Sequence, residues 1–81
     1  MARVSGEQHS EGHLKQLGVA IREVRTEQNV SQEALADASG IDRSHLGKIE
    51  RGERNVTFLN VLRIARALGM KPSAILLRAS L

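Results

Sequence analysis

Residues 31–52, SQEALADASGIDRSHLGKIERG, constrain the fold more than any other stretch. They read as two short helices joined by a tight turn. Ser31 is a good N-cap, because its hydroxyl can accept from an orphan N–H of the first turn. Leu35 and Ala38, three apart, give the first helix an apolar stripe. Gly40 stands where that helix must stop, since a residue without Cβ enters the left-handed region cheaply. Ile41 plugs the corner, and Asp42 caps a second helix whose inward residues are Leu46 and Ile49. Gly52 stops that helix in turn. About four residues separate the two periodic segments, which is the geometry of a helix-turn-helix.

The second helix is distinctive on its outside. Once Leu46 and Ile49 face inward, Arg43, Ser44, His45, Gly47, Lys48 and Arg51 remain. Two readings stand for such a face: a solvated surface, or a helix that enters the DNA major groove and reaches base edges. The charge distribution bears on the choice. Residues 1–42 carry four basic and seven acidic side chains, net −3, whereas residues 43–81 carry eight basic and two acidic, net +6. No acid follows Glu53. A basic half beginning at Arg43 is the footprint of a polyanion-binding face.

Eighty-one residues make one domain. A chain this size buries only roughly 60–65% of its unfolded surface, so help from a second subunit is plausible. There is no cysteine, which excludes disulfides and thiolate metal sites. Phe58 is the single aromatic, and single-strand binders need aromatic platforms for base stacking. No apolar run approaches the ~18 residues of a membrane span, and no leader is evident, so a cytoplasmic protein without membrane association is expected. His9 and His13 lie four apart without a third ligand nearby, so no metal and no cofactor are expected. No nucleophile, base and orienting group fall at recognisable spacing, and there is no phosphate-cradling Gly-rich loop, so the chain is not expected to be an enzyme. It also leaves no room for a small-molecule effector pocket of ordinary size.

Residues 1–10 lack periodicity and read as a flexible N-terminal arm; Arg3 either touches a minor groove or is simply solvated. Residues 11–81 form the domain proper. The first helix, 11–28, carries Leu14, Leu17, Ile21 and Val24 at spacings of three and four. Asn29 is a left-handed stop and Val30 plugs the next corner. After a polar loop, Thr57 caps a fourth helix with Phe58, Val61, Leu62, Ala65 and Leu68 on one face. Gly69 ends it, and Pro72 opens a fifth helix over 72–79. Ile75, Leu76 and Leu77 run consecutively there. So short a helix cannot bury all three, so part stays wet or a second copy covers it. No segment alternates with period two, and the chain is expected to be all-α with five helices.

From Leu17 to Leu77 the chain resembles the phage repressor and Cro class of helix-turn-helix regulators, the Xre family. The matching segments are LGVAIREVR (17–25), SQEALADASGI (31–41), LGKIERGER (46–54) and VLRIARALGM (61–70). Within it, the runs 42–44 and 50–57 are most similar to the controller proteins of restriction–modification operons. The resemblance implies a compact, lambda-repressor-like domain whose second and third helices form the helix-turn-helix. It also implies roles for residues. Gln32 would bind a phosphate and brace the reading helix. Arg43, Ser44, His45 and Lys48 would meet base edges, although His45 departs from the larger aromatic common in controllers. Gly47 stands where relatives often carry a base-reading side chain. Arg51, Arg54 and Asn55 would hold the phosphate backbone. Arg25 and Glu50 match a family pair that forms a largely buried salt bridge.

Physical chemistry agrees with most of these roles, although Ser44 could equally be a simple N-terminal helix residue. A planar fork such as Arg43 can take guanine O6 and N7 together, and Gln32 at a helix N-terminus adds a donor to free backbone N–H groups. A buried Glu50 needs a partner, for which Arg25 is the candidate. One reading helix covers too few base pairs for useful specificity, so a homodimer reading a palindrome is expected. Leu62, Ile75, Leu76 and Leu77 are the expected dimer contributors. The reading is then a sequence-specific regulator of double-stranded DNA. Its competitor is an antitoxin-like protein-interaction module that uses the same fold and binds DNA weakly.

Overall fold

The computed structural model describes residues 10–81, forming α1 (Ser10–Glu27), α2 (Gln32–Ser39), α3 (Arg43–Glu50), α4 (Phe58–Ala67) and α5 (Pro72–Arg78). Residues 1–9, with the expected roles of Arg3 and His9, lie outside the described residues. Ser10, expected as the last residue of the arm, already belongs to α1. Among the described residues there is no strand. Three helices begin at side-chain caps. The Ser31 hydroxyl accepts from the Ala34 N–H, Asp42 accepts from Ser44 and His45, and Thr57 accepts from Asn60. These bonds satisfy donors that the first turn leaves orphaned. Pro72 occupies the first turn of α5, where its missing N–H is no loss.

The five helices end alike. At α1 the Asn29 N–H donates to the Thr26 carbonyl and the Val30 N–H to that of Arg25, both at 3.0 Å. The same pair of bonds recurs at Gly40–Ile41, Gly52–Glu53, Gly69–Met70 and Ser80–Leu81. This is the Schellman closure, whose second residue commonly turns an apolar side chain back on the helix. Here that residue is apolar at four ends, Val30, Ile41, Met70 and Leu81, and acidic only at the end of α3, where it is Glu53.

Helix α1 packs on α3 and α5, α2 on α3 and α4, and α4 on α5. Ile21, Leu35, Leu46, Ile64 and Ile75, one from each helix, are the largest fully buried side chains. Three expectations need correcting. In α2 the buried set is Leu35, Ala36 and Ser39, while Ala38 is exposed. In so short a helix the spacings three and four are equally available, and the neighbours choose between them. In α4, Val61, Ile64, Ala65 and Leu68 carry the packing and Phe58 is 70% exposed. It starts the helix, one turn before the packed stripe begins. Ile75 is 0% exposed. It belongs to the chain's own core and has no surface to offer a second copy, so it is removed from the expected dimer contributors.

Helix α3 sits where it does because of a close approach on α1. A Cβ on Gly18 would stand 2.6 Å from the Ile49 carbonyl oxygen and closer still to that of Glu50. The last turn of α3 therefore rests directly on α1 backbone. Gly52, at φ +72, continues the contact, its Cα facing the Lys15 backbone with no room for a side chain. Gly18→Ala is expected to push the two helices apart and cost about 1–3 kcal/mol in urea denaturation, the usual range for overpacking. Unchanged stability would mean that the α1–α3 contact has slack.

Candidate nucleic-acid interface

Behind α3 lies a buried ionic brace. Arg25 Nε donates to Glu50 Oε2 at 2.7 Å and Nη2 to Oε1 at 2.9 Å, with side-chain exposures of 11% and 3%. Arg25 Nη1 also donates to the Val30 carbonyl at 3.0 Å. Gln32 Nε2 donates to Glu50 Oε1 at 3.1 Å. The hydrogen bond to Glu50 is the main reason the Arg25 pKa is raised, against the opposing effect of burial, with the charge of Glu50 adding to it. The guanidinium thus ties α1, the α1–α2 corner and the end of α3 together. Gln32 occupies the bracing half of the role expected of it. Its side chain also lines an open cleft with Asp42, Arg43, Ser44, Gly47 and Arg51.

The outer face of α3 presents the remaining candidates. Arg43 and Ser44 are exposed on its first turn, His45 and Lys48 are half-buried, and Arg51, Arg54 and Asn55 are exposed beyond it. Gly47, expected on the outside, is buried instead. A Cβ there would lie 3.2 Å from Arg51 Nη1 and 3.5 Å from Gln32 Oε1, so both side chains lie across it. Gln32, Arg43, Ser44 and Arg51 therefore share one cleft beside α3, and Lys48 and Arg54 come near Glu53, which Arg51 holds.

Two acids enter this face that helical periodicity does not single out. Glu33 Oε2 stands 3.7 Å from Arg43 Nη1, a loose contact between two exposed side chains. Glu53 is held more closely: Arg51 Nε donates to Oε2 at 3.0 Å and Nη2 to Oε1 at 3.3 Å. Arg51 foremost, with Lys48 and Arg54 behind it, keeps the Glu53 carboxyl below the usual carboxylate range. The sequence signal for Glu53 is an acid in a helix-closing position that is apolar at the four other ends.

The expected dimer residues divide. Leu77 is 80% exposed, Leu62 and Leu76 are half-buried, and Ile75 is interior. Leu59, Leu62, Arg63 and Arg66 line a shallow groove on α4. Among the described residues, no three His, Asp or Glu gather as a metal site would require, and no helix is long and apolar enough to cross a membrane.

Comparison with known proteins agrees with this geometry. The family profile described as helix-turn-helix matches residues 21–75. The chain is 41% identical over 61 residues to control protein C.SmaI of Serratia marcescens, covering 75% of this chain and 73% of that protein. It is 40% identical over 60 residues to control protein C.BamHI of Bacillus amyloliquefaciens, covering 73% and 74% respectively. Among solved structures it resembles the restriction-modification controller protein C.AhdI from Aeromonas hydrophila, with TM-score 0.78, 45% identity, and coverage of 79% of this chain and 97% of that one.

The brace makes a stability prediction. Arg25→Met leaves the Glu50 carboxylate buried without its cation, and should cost about 3–5 kcal/mol in urea denaturation. Arg25→Met combined with Glu50→Leu should regain most of that loss, because no charge then stays buried. A single substitution that costs little would show that Glu50 reaches solvent.

Proposed function

The chain belongs to the helix-turn-helix family, and from that premise we propose that it is a homodimeric transcriptional regulator reading a palindromic operator in double-stranded DNA. Family membership places it among regulatory proteins rather than enzymes. The observation that carries the reading is the face of α3: Arg43 and Ser44 are exposed on its first turn, and Arg51, Arg54 and Asn55 flank its end. An α-helix fits the major groove, where Arg43 can take guanine bidentately and Ser44, His45 and Lys48 can reach neighbouring edges. Gln32, Arg51, Arg54 and Asn55 stand at the sides, where phosphates pass, and such contacts fix register without reading sequence.

Two copies related by a two-fold axis, with reading helices about 34 Å apart, would meet successive major grooves. Leu62, Leu76 and Leu77 are the residues we assign to that dimer; Leu77, at 80% exposure, has the most to gain from cover. The resemblance to controllers of restriction–modification systems favours an operator in the chain's own promoter or in such an operon. A cytoplasmic location and the absence of a small-molecule effector follow from the same reading.

The test is titration into duplex from upstream of the chain's own gene, against scrambled duplex, over a series of salt concentrations. Two protomers per site are expected, with a log–log salt slope of about −0.9 for each phosphate contacted. Arg43→Ala should remove about 1–3 kcal/mol of discrimination between the duplexes, whereas Arg54→Ala should weaken both alike. Equal, weak binding of both duplexes by the unaltered protein would count against the regulator and favour a protein-interaction module.

A further inference from the structure

Glu53 is out of character with its surroundings. It is the last acid in the chain and is surrounded by Lys48, Arg51 and Arg54. It stands in the helix-closing position that is apolar at the four other helix ends. Its two oxygens meet the Nε and Nη2 donors of Arg51, the arrangement by which a guanidinium also grips two oxygens of a phosphate. That edge of the guanidinium holds one such anion at a time. The remaining nitrogen, Nη1, is turned toward Gly47 and Gln32.

We propose that Glu53 is a tethered stand-in for a DNA phosphate: it occupies Arg51 in the free protein, and duplex DNA must take that edge over to bind. The inference rests on the reading of this face as a duplex-binding surface. Two consequences lower affinity for DNA. While Glu53 holds Arg51 the pair has no net positive charge, so its docking displaces fewer of the cations condensed on the duplex. Once displaced, the carboxylate remains two residues away and repels the incoming backbone. Phosphate contacts carry no sequence information, so both effects act on DNA of any sequence. Glu53 thereby restrains sequence-indifferent binding, which is the binding that an excess of competing genomic DNA would otherwise exploit.

The test uses the full chain and a random-sequence duplex, with binding followed by fluorescence anisotropy over a series of KCl concentrations. Glu53→Gln keeps the side chain's size and removes its charge. It should bind about two- to five-fold more tightly, the range an exposed ion pair commands. The log–log salt slope should steepen by about 0.9, as one more phosphate is neutralised. Most of the gain should vanish in an Arg51→Ala background, since the two residues are coupled. Glu23→Gln, an equal charge change on exposed α1 surface, should not reproduce it. Unchanged or weaker binding by Glu53→Gln would overturn the proposal, the latter by making Glu53 a residue that orients Arg51 for DNA. A gain matched by Glu23→Gln, or fully retained without Arg51, would overturn it too. If the unaltered protein bound duplex with the expected salt dependence, the regulator reading would survive any of these results. If it bound no duplex at any salt concentration, both would fall.

Discussion

The arrangement of this domain depends on one buried ion pair, Arg25 with Glu50. Apolar burial supplies most of the driving force for folding, but it is non-directional. Leu46 and Ile49 bury their surface without fixing which donors and acceptors meet across the helices. The two-point grip of Arg25 on Glu50 is directional, and Gln32 adds a third fixed bond to the same carboxylate. Those bonds tie the rotation of α3 to α1 and to the start of α2. That rotation in turn decides which side chains face outward. Removing an ion pair from water is costly, so the pair is tolerable here because the carboxylate and guanidinium are both closely partnered. Among the described residues, no buried side-chain nitrogen or oxygen lacks a hydrogen-bond partner.

Most of the helical scaffold was legible in the sequence, because it is written locally. Ser31, Asp42 and Thr57 act on donors two or three residues away, and Asn29, Gly40, Gly52 and Gly69 close helices through bonds that span five residues at most. Such features need no knowledge of tertiary structure. What could not be read depends on distances between elements. Gly18 is an unremarked member of the α1 pattern until α3 is laid against it. Ala38 and Ala36 are equivalent by composition, and only the helices packed against α2, namely α3 and α4, select Ala36. Ile75, Leu76 and Leu77 are chemically near-identical neighbours, yet helical geometry sends one into the core and leaves Leu77 outside. Gly47 lines the cleft beside Arg43, Ser44 and Arg51, and its burial beneath Arg51 and Gln32 is a contact that spacing within α3 does not reveal.

The exposed apolar residues follow from size. A five-helix chain of this length has a core one layer deep, and α4 and α5 face it from one side only. Phe58, Leu59 and Leu77 are left out there, as are Val19 on α1 and Leu81 after α5. Dispersed over a large protein, five such residues would mean little. On a domain this small they weigh more, and the proposed dimer would give cover to Leu77 in particular.

The basic half of the chain has only two acids, Glu50 and Glu53, three residues apart. Both grip an arginine through two hydrogen bonds, and burial alone gives them opposite consequences. Around Glu50 water is excluded, so the pair cannot exchange partners and acts as a structural joint. Glu53 lies in solvent, where an ion pair is only marginally favourable and a phosphate can compete for the same donors. The Schellman closure of α3 is what separates the two environments: Gly52 reverses the chain against Lys15, and the next residue is delivered to the outer face. An apolar residue at position 53 would pack back on the helix as Val30, Ile41 and Met70 do at theirs. A carboxylate there forgoes that packing, and what it gains is a two-point hold on Arg51, the C-cap of α3.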